Sequence, residues 1–160
     1  MAVDENKKTL IVFSGDLDRA IAAFILANGA AAMGNDVTMF FTFWGLNIIR
    51  RPEKVKVKKS PLQAAFGRLL PRGPGRLRLS QMNFAGLGPV LMKKVMKAAN
   101  ISTLEELIET AKEQDITMIA CTTSMEVLGI TKEELLDGVE LAGVATYFGY
   151  ADEANVNLMI

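Results

Sequence analysis

Runs of apolar residues divide the amino half of the chain into a strand, a helix and a second strand. The run TLIVFS over 9–14 is short, apolar and partly β-branched and ends at Gly15, which predicts a buried strand followed by a turn. The segment LDRAIAAFILANGAAAM over 17–33 is rich in alanine and stops at a Gly-Asn pair, which predicts a helix. The run DVTMFFTF over 36–43 predicts a second strand. This order predicts a parallel βαβ unit.

The carboxyl half repeats the alternation of helices and strands. STLEELIETAKEQD, which begins at Ser102, predicts a helix with Glu105 at the capping-box position, and ITMIAC predicts the next strand. SMEVLGITKEELLDG predicts one or two short helices, with Thr131 and Glu134 spaced as a second capping box. VELAGVATYFGYADEA then predicts a further helix, and VNLMI a closing strand.

The composition fits one compact domain with a full core. The chain has 160 residues, and half of them are hydrophobic, so we expect a single three-layer α/β domain over 1–160 with a mainly parallel central sheet. Eighteen basic residues balance eighteen acidic ones, which gives no reason to expect nucleic acid as a partner. The chain shows no secretory signal pattern and no apolar stretch that could span a bilayer, so we expect a cytoplasmic protein.

Charge is unevenly distributed along the chain. The segment 50–78 contains ten basic residues, one acid and four of the five prolines, which predicts an exposed, irregular excursion. Beyond residue 100, twelve acids stand against two bases. A solvated loop is the usual explanation, but the split also suits self-association or the docking of an acidic partner. The methionine-rich stretch 82–99 predicts an amphipathic helix, with packing in the core as the default interpretation.

Cys121, the only cysteine of the chain, is the last residue of a predicted strand. In an open parallel sheet, ligands and catalytic groups gather at the carboxyl ends of the strands. Amides of the next helix, with Thr122, Thr123 or Ser124 as its cap, would favour a thiolate. A buried structural cysteine is an equally good interpretation of this placement, since free cysteine is often buried.

The absence of histidine and of a second cysteine limits the chemistry open to Cys121. Cysteine hydrolases and acyltransferases need an imidazole base, a dithiol cycle needs another thiol, and a zinc site needs further ligands. A single thiolate can still carry sulfur as a persulfide, accept an adduct, or be oxidised and rescued by another thiol. No metal or cofactor is indicated.

Two further motifs lie at predicted strand ends. In SGDLDRA, Ser14, Gly15 and Asp16 form a turn into the first helix, and the aspartate is interpreted first as a helix cap and second as a group near the sulfur. The loop is too short and too acidic to cradle phosphate. In FTFWGLN, Trp44 is interpreted first as a packing residue and second as a lid over the pocket of Cys121.

Four segments resemble the DsrE/DsrF/DsrH-like proteins, in the branch described as peroxiredoxin-like or sulfurtransferase. They are SGDLDRAIAAFILANGAAAMG, FFTFWGLN, ACTTSMEVLGITKEELLDGVELAGVATYF and the closing strand, and the resemblance is weakest in the basic middle. It implies an α/β domain, often a homo-oligomer, that accepts sulfane sulfur on the cysteine matched by Cys121. TusA-like carriers and rhodaneses are the implied partners. A true peroxiredoxin has threonine three residues before its reactive cysteine, where this chain has Met118, so peroxidase activity is not expected.

The leading hypothesis is therefore a sulfur carrier or sulfurtransferase in which Cys121 is the nucleophile. Whether such a carrier counts as an enzyme is left open. One alternative is a non-catalytic binding or assembly module with a structural Cys121. Another is a redox sensor that forms a sulfenic acid. The residues expected to support the pocket are Ser14, Gly15, Asp16, Trp44, Thr122, Thr123 and Ser124.

Overall fold

A computed structural model describes residues 4–160, which form a parallel β-sheet with helices on both faces. The strands occur in the order β4-β3-β2-β1-β5, and every pairing between neighbours is parallel. This confirms the predicted α/β class with a parallel central sheet. The strands are β1 (Asp4–Val12), β2 (Asp36–Phe41), β3 (Thr117–Cys121), β4 (Glu140–Ala142) and β5 (Ala154–Met159).

Six α-helices occur in the described part of the chain, joined in places by single 3₁₀ turns. The 3₁₀ segments are Phe43–Asn47, Pro74–Arg76, Phe84–Gly86 and Lys132–Glu134. The helices are α1 (Leu17–Ala32), α2 (Pro61–Leu69), α3 (Leu87–Ala98), α4 (Leu104–Glu113), α5 (Thr122–Leu128) and α6 (Val144–Glu153).

The predicted βαβ unit at the amino end is confirmed. β1 and β2 pair in parallel with Leu10 opposite Met39, and α1 connects them. β2 ends at Phe41, two residues earlier than predicted, because the chain turns into a 3₁₀ helix at Phe43. The buried face of α1 consists largely of alanine, including Ala20, Ala23 and Ala27. Small side chains let α1 lie close to the sheet and to α4.

The two faces of the sheet pack against different helices. Since successive strand residues point to opposite faces, Met118 and Ala120 of β3 join the large core under α1 and α4. Ile119 and Cys121 point the other way and form a smaller cluster with Phe40 and Tyr147, which belongs to α6. Burying a large apolar side chain contributes about 1.5–3 kcal/mol, so most of the packing free energy lies on the α1 and α4 side.

The cap of α4 lies one residue later than the sequence predicts. Thr103, not Ser102, is the N-cap, and its hydroxyl accepts a hydrogen bond from the Glu106 amide at 3.3 Å. The Glu106 carboxylate accepts in return from the Thr103 amide at 2.7 Å. Because Thr103 is the N-cap, Leu104 is the first helical residue. Leu104 and Ile108 are both buried in the core.

The segment predicted as one helix over 139–154 is a strand followed by a helix. Residues Glu140–Ala142 pair with β3 as β4, and α6 begins only at Val144. Three residues are too few to show a strand period in the sequence. The helix is therefore shorter than predicted, and the closing strand follows it directly at Ala154.

The basic segment 50–78 is more ordered than predicted. Residues Pro61–Leu69 form α2, which begins with a Ser60–Gln63 capping box and a proline at its first position. Arg50, the first cation of the segment, is fully buried. An irregular loop is thus wrong for this part of the segment, and its charges are not all solvated.

Helix α3 is amphipathic, as predicted, but it does not lie in the core. Of its residues, Gly88 and Met96 are buried, whereas five large apolar side chains of the helix are exposed: Leu87, Val90, Leu91, Met92 and Val95. The default interpretation of the methionine-rich stretch as core is wrong. None of the helices in the described part of the chain is both long enough and apolar enough to cross a bilayer.

Candidate functional site

The carboxyl ends of all five strands meet at one edge of the sheet, because every pairing is parallel. Most of the residues singled out by sequence lie along this edge. Ser14 to Asp16 follow β1, Trp44 follows β2, and Cys121 is the last residue of β3. The turn from β4 into α6 contributes Gly143. The edge therefore collects the three predicted motifs, which follow β1, β2 and β3, and a fourth loop that the sequence did not predict.

The connections after β3 and β4 lead to opposite faces of the sheet. α5, which follows β3, packs Met125 and Leu128 into the large core. α6, which follows β4, packs Tyr147 against the other face. Ligands in open α/β sheets bind where the connections diverge in this way. The crevice between the ends of β3 and β4 is thus the expected binding position, and Cys121 lies at it, opposite Ala142.

Cys121 is mostly enclosed by apolar side chains. It is the N-cap residue of α5, and 6% of its surface is exposed. On the sheet face toward α6 it packs in a cluster with Phe40, Ile119 and Tyr147. The predicted capping by a hydroxyl residue is wrong, because Cys121 itself occupies the cap position and its side chain makes no cap hydrogen bond.

Tyr147 forms the wall of this cluster and was not identified from the sequence. Its ring centroid lies 5.0 Å from that of Phe40, and its hydroxyl is 3.2 Å from the Thr9 hydroxyl of β1. The ring is therefore fixed at both ends. The sequence did contain a signal for Tyr147, which is the fourth residue after Gly143, a glycine that could precede a helix. This signal is visible only when the predicted helix over 139–154 is divided into β4 and α6.

The three hydroxyl residues after Cys121 lie in different environments. Ser124 is buried, and its hydroxyl is 2.7 Å from that of Thr42, a bond that ties α5 to the end of β2. Thr123 is exposed. Thr122 is half-buried beside the crevice: a Cβ added at Gly143 would meet only the Thr122 Oγ1, at 4.0 Å. The crevice is therefore open at Gly143.

The loop after β1 is held by its own hydrogen bonds. The Ser14 hydroxyl donates to the Asp16 carboxylate at 3.0 Å and accepts from the Asp16 amide at 3.1 Å. Asp16 is the N-cap residue of α1, as predicted, but its side chain makes no cap bond and instead lies 3.8 Å from Arg19. Since β2 lies between β1 and β3, the end of β1, where this loop begins, is roughly 10 Å from the end of β3, where Cys121 lies.

Gly15 allows the loops after β1 and β2 to touch. A Cβ at this position would lie 2.7 Å from the carbonyl oxygen of Trp44. The Trp44 side chain is 43% exposed, so this residue does not pack in the core of the chain, and packing in a subunit contact stays a prediction. Next to it, Phe43 has a left-handed backbone (φ 45°), which is rare for an aromatic residue, and its ring packs 5.8 Å from that of Phe13. Phe13, Phe43 and Trp44 together form an exposed aromatic rim.

A concavity, which we call the α2–α5 cleft, lies between α2 and α5. It has a volume of about 310 Å³ and reaches Thr122, the neighbour of Cys121. Its lining combines two lysines with hydroxyl, amide, carboxylate and apolar groups: Lys58, Lys59, Gln63, Thr122, Met125, Glu126, Gly129, Ile130 and Thr131. The sequence did not predict this cleft, because the lysines come from the segment expected to be an exposed loop.

Lys59 connects the cleft to a buried ion cluster around Glu134. The fully buried Glu134 carboxylate binds Lys59 at 2.5 Å, Arg50 at 3.1 Å and Arg72 at 3.0 Å. It also accepts the Thr131 amide at 3.0 Å, which confirms part of the second capping box. Burial opposes ionisation of this carboxyl, but the hydrogen bonds and nearby cations outweigh burial and place the pKa of Glu134 below its ordinary value.

The cluster contains more positive than negative charge. Three cations surround one carboxylate, and burial together with Arg72 lowers the pKa of Arg50. Among the described residues, the Nε of Arg50 and the Nη1 of Arg72 are buried without a hydrogen-bond partner. Over the same residues, no group of three or more acidic or cysteine side chains could hold a metal ion.

A parallel α/β sheet with a cysteine at the end of a strand defines a class of protein, and comparison with known protein families identifies that class. The sequence pattern of the DsrE/DsrF/DrsH-like family matches residues 5–159, so the chain belongs to this family. The "Uncharacterized protein YrkE" of Bacillus subtilis (strain 168) is 49% identical over 160 residues and covers 100% of both chains.

A second relative has a functional name. The "Sulfur carrier protein DsrE2" of Allochromatium vinosum is 35% identical over 162 residues, which covers 99% of this chain and 100% of the relative. Among solved structures, the ychN protein from E. coli matches 96% of this chain and 99% of its own with a TM-score of 0.55 at 14% identity. The latter shows a common fold, and the family resemblance stated from the sequence is confirmed.

Proposed function

We propose that this protein is a sulfur carrier that works in a cytoplasmic sulfur relay and accepts sulfane sulfur on Cys121. The proposal is carried by the position of Cys121, which lies at the end of β3 beside the strand-end crevice. It is supported by the relative named a sulfur carrier and by the family. Its transfer step is a sulfurtransferase reaction in which the chain itself is the carrier.

The chemistry needs one thiolate and no other catalytic group. The Cys121 thiolate attacks the outer sulfur of a donor persulfide, R–S–SH. A new S–S bond forms, the donor S–S bond breaks, and the donor leaves as its thiolate, R–S⁻. Cys121 then carries S–SH. An acceptor thiolate attacks that outer sulfur in the same way and regenerates the Cys121 thiolate, so no oxidant or reductant is consumed.

The start of α5 suits a sulfur anion at this position. The side chain of the N-cap residue makes no hydrogen bond to the first turn, so first-turn amides remain to interact with an added sulfur atom. The apolar wall of Phe40 and Tyr147 excludes water on one side. An outer sulfur would extend toward Gly143, where the crevice is open.

The exposed aromatic rim supports docking of a protein partner. Phe13, Phe43 and Trp44 are each more than a third exposed and lie at the strand edge that contains Cys121. Aromatic residues are enriched at the centres of protein interfaces. We therefore place a TusA-like sulfur carrier or a rhodanese-type protein at this rim. Self-association into a homo-oligomer is part of the same proposal, supported by the exposed apolar side of α3.

The low exposure of Cys121 favours one alternative, a binding or assembly module in which the cysteine is structural. The two functions differ in the accessibility of the thiol. If the carrier proposal is right, N-ethylmaleimide modifies Cys121 in the native protein. Modification only after unfolding in urea would support the structural role and contradict the carrier.

The direct test is intact-protein mass spectrometry after incubation with polysulfide or a loaded rhodanese. We expect a mass gain of one sulfur atom in the wild type and none in Cys121→Ser. Addition of a TusA-like acceptor should remove the gain. Absence of a gain from every donor, with a thiol that alkylates normally, would contradict the proposed function.

Two glycine variants test the route through the crevice. Gly143→Val adds a side chain beside Thr122, in a backbone conformation (φ −88°, ψ 174°) that a β-branched residue accepts. We expect slower sulfur loading, together with a loss of about 1 kcal/mol in stability because Gly143 is the N-cap of α6 and valine is a poorer N-cap. Gly149→Ala is the matched control, since a Cβ there meets nothing within 4 Å. Equal loading rates in the two variants would place the route elsewhere.

A further inference from the structure

The α2–α5 cleft brings several hydrogen-bond donors to one concavity. The Lys58 and Lys59 ammonium groups, the Gln63 amide and the hydroxyls of Thr122 and Thr131 all line it. These groups come from the loop before α2, from α2 itself and from the stretch that runs from α5 to the 3₁₀ turn at 132–134. Met125 and Ile130 provide an apolar floor. The volume of about 310 Å³ limits the cleft to a small ligand, and the two ammonium groups favour an anionic one.

The charges of the cleft and of the ion cluster behind it sum to a positive value. Lys59 belongs to both, since it lines the cleft and binds Glu134. Counting Lys58, Lys59, Arg50 and Arg72 against Glu134 and the exposed Glu126 gives four positive and two negative charges, a net charge of +2. Buried charge is costly unless it is paired. An anion in the cleft would supply the missing negative charge.

The positions of α2 and α5 keep the cleft closed at one end. Gly129 ends α5 in a left-handed conformation (φ 64°), and a Cβ there would lie 2.6 Å from the Gln63 Cβ. The Gln63 side-chain amide donates to the Glu126 carbonyl at 3.4 Å. The close approach of Gln63 at Gly129 thus fixes α2 against α5 and holds the lysines beside Thr122.

We propose that the α2–α5 cleft is a binding site for a small oxyanion of the sulfate, sulfonate or phosphate type, held chiefly by Lys58 and Lys59. Lysine binds such groups as a point charge, and charge-assisted hydrogen bonds are the stronger ones. The bound oxyanion lies beside Thr122, the residue that follows Cys121. This binding does not depend on sulfur transfer by Cys121, so it can be tested separately from the proposed function.

The test is an NMR titration of the full ¹⁵N-labelled chain with sulfate, methanesulfonate and phosphate, at constant ionic strength maintained with chloride. We expect saturable shifts of the Gln63 amide and of amides in 122–131. The ranking of the three anions distinguishes a sulfur-type from a phosphate-type ligand, and saturable binding of any of them in the cleft supports the proposal. Shifts that do not saturate, or that occur elsewhere on the chain, would overturn it.

Matched lysine variants separate a specific site from diffuse attraction. Lys58→Gln should weaken binding about tenfold, which corresponds to about 1.4 kcal/mol. Lys56→Gln removes an equally exposed charge from the same segment but outside the lining, and we expect its dissociation constant to equal that of the wild type. Equal weakening by both changes would contradict a site at Lys58. We expect Cys121→Ser to bind the oxyanion with the dissociation constant of the wild type. A failure of sulfur loading on Cys121 would therefore not affect the test of the oxyanion site.

Discussion

The two sides of α5 differ in the forces that build them. Toward α6, Cys121 is enclosed by Phe40, Ile119 and Tyr147, and the cluster contains no charged side chain. Toward α2, the surface consists of lysines in front of a buried cluster around Glu134. A helix of seven residues separates the two environments. The stability of the side with Cys121, here called the thiol side, should therefore depend on side-chain volume. The stability of the side with the α2–α5 cleft, the cleft side, should depend on charge.

The largest expected effect comes from removing the central carboxylate of the ion cluster. Glu134→Gln leaves three cations, two of them nearly or fully buried, without their counter-charge, and we expect a loss of about 3–5 kcal/mol in the free energy of unfolding. Urea denaturation measures it. The exposed neighbour in Glu133→Gln should change stability by less than about 0.5 kcal/mol. Similar values for the two variants would show that the cluster does not stabilise the fold.

A change in volume on the thiol side should act on both stability and access. Tyr147→Ala removes a ring that is 4% exposed, and we expect a loss of about 3 kcal/mol. Because this ring forms a wall of the cysteine cluster, alkylation of Cys121 by N-ethylmaleimide should also become faster. Lys58→Gln, on the cleft side, should leave the alkylation rate unchanged. A slower or unchanged rate in Tyr147→Ala would mean that another group covers the thiol.

A smaller loss is expected where the two sides are joined at the end of α5. Gly129→Ala places a Cβ against Gln63 in a left-handed conformation, and the backbone term alone costs about 1–2 kcal/mol. Thermal unfolding checks this. Gly149→Ala, in a helix with open space, should instead stabilise by about 0.5–1 kcal/mol. If Gly129→Ala is neutral, α2 is not held closely against α5.

The effect of mild acid on the contribution of Glu134 to stability should be the smallest. Because the pKa of Glu134 is lower in the folded chain than its ordinary value of 4.5, its contribution to stability is complete above that value. The contribution is lost as the pH falls below 4.5 and through the folded-state pKa. Urea denaturation from pH 7 to pH 3 should therefore show a difference between wild type and Glu134→Gln that narrows at the acid end. A constant difference would contradict ionisation of Glu134 as its source.

The elements that the sequence predicted well are those with long, uniform patterns. β1, α1 and β2 are marked by continuous apolar or alanine-rich runs. α1 and β2 lie within two residues of the predicted bounds, whereas β1 begins at Asp4, five residues before the predicted start, because its first residues are charged and polar. The cap of α4 was misplaced by one residue because Ser102 and Thr103 are both hydroxyl residues followed three positions later by glutamate. Only the burial of Leu104 decides between them. β4 was missed because it has three residues, none of them buried.

The residues of the candidate site also divide into those that local sequence patterns predict and those that only tertiary packing brings to the site. Cys121 and Gly15 could be placed from the sequence, since the first ends a predicted strand, the second follows one, and parallel strand ends share an edge. The partners of these residues could not. Tyr147 reaches the site by packing of α6, and Lys59 reaches Glu134 across 75 positions of sequence. The start of α2 was visible in Ser60, Pro61 and Gln63, but the surrounding basic residues favoured a loop interpretation.

The place of β5 in the sheet has a consequence for the order of events during synthesis. β5 pairs with β1, so the first and last described strands are neighbours, whereas β2, β3 and β4 extend from the other side of β1. Until residues 154–159 leave the ribosome, one edge of β1 has no strand to pair with. Contacts over such long separations form late and slowly. The nascent chain thus exposes an open strand edge until β5 has been synthesised, and chaperone protection would matter most during that interval.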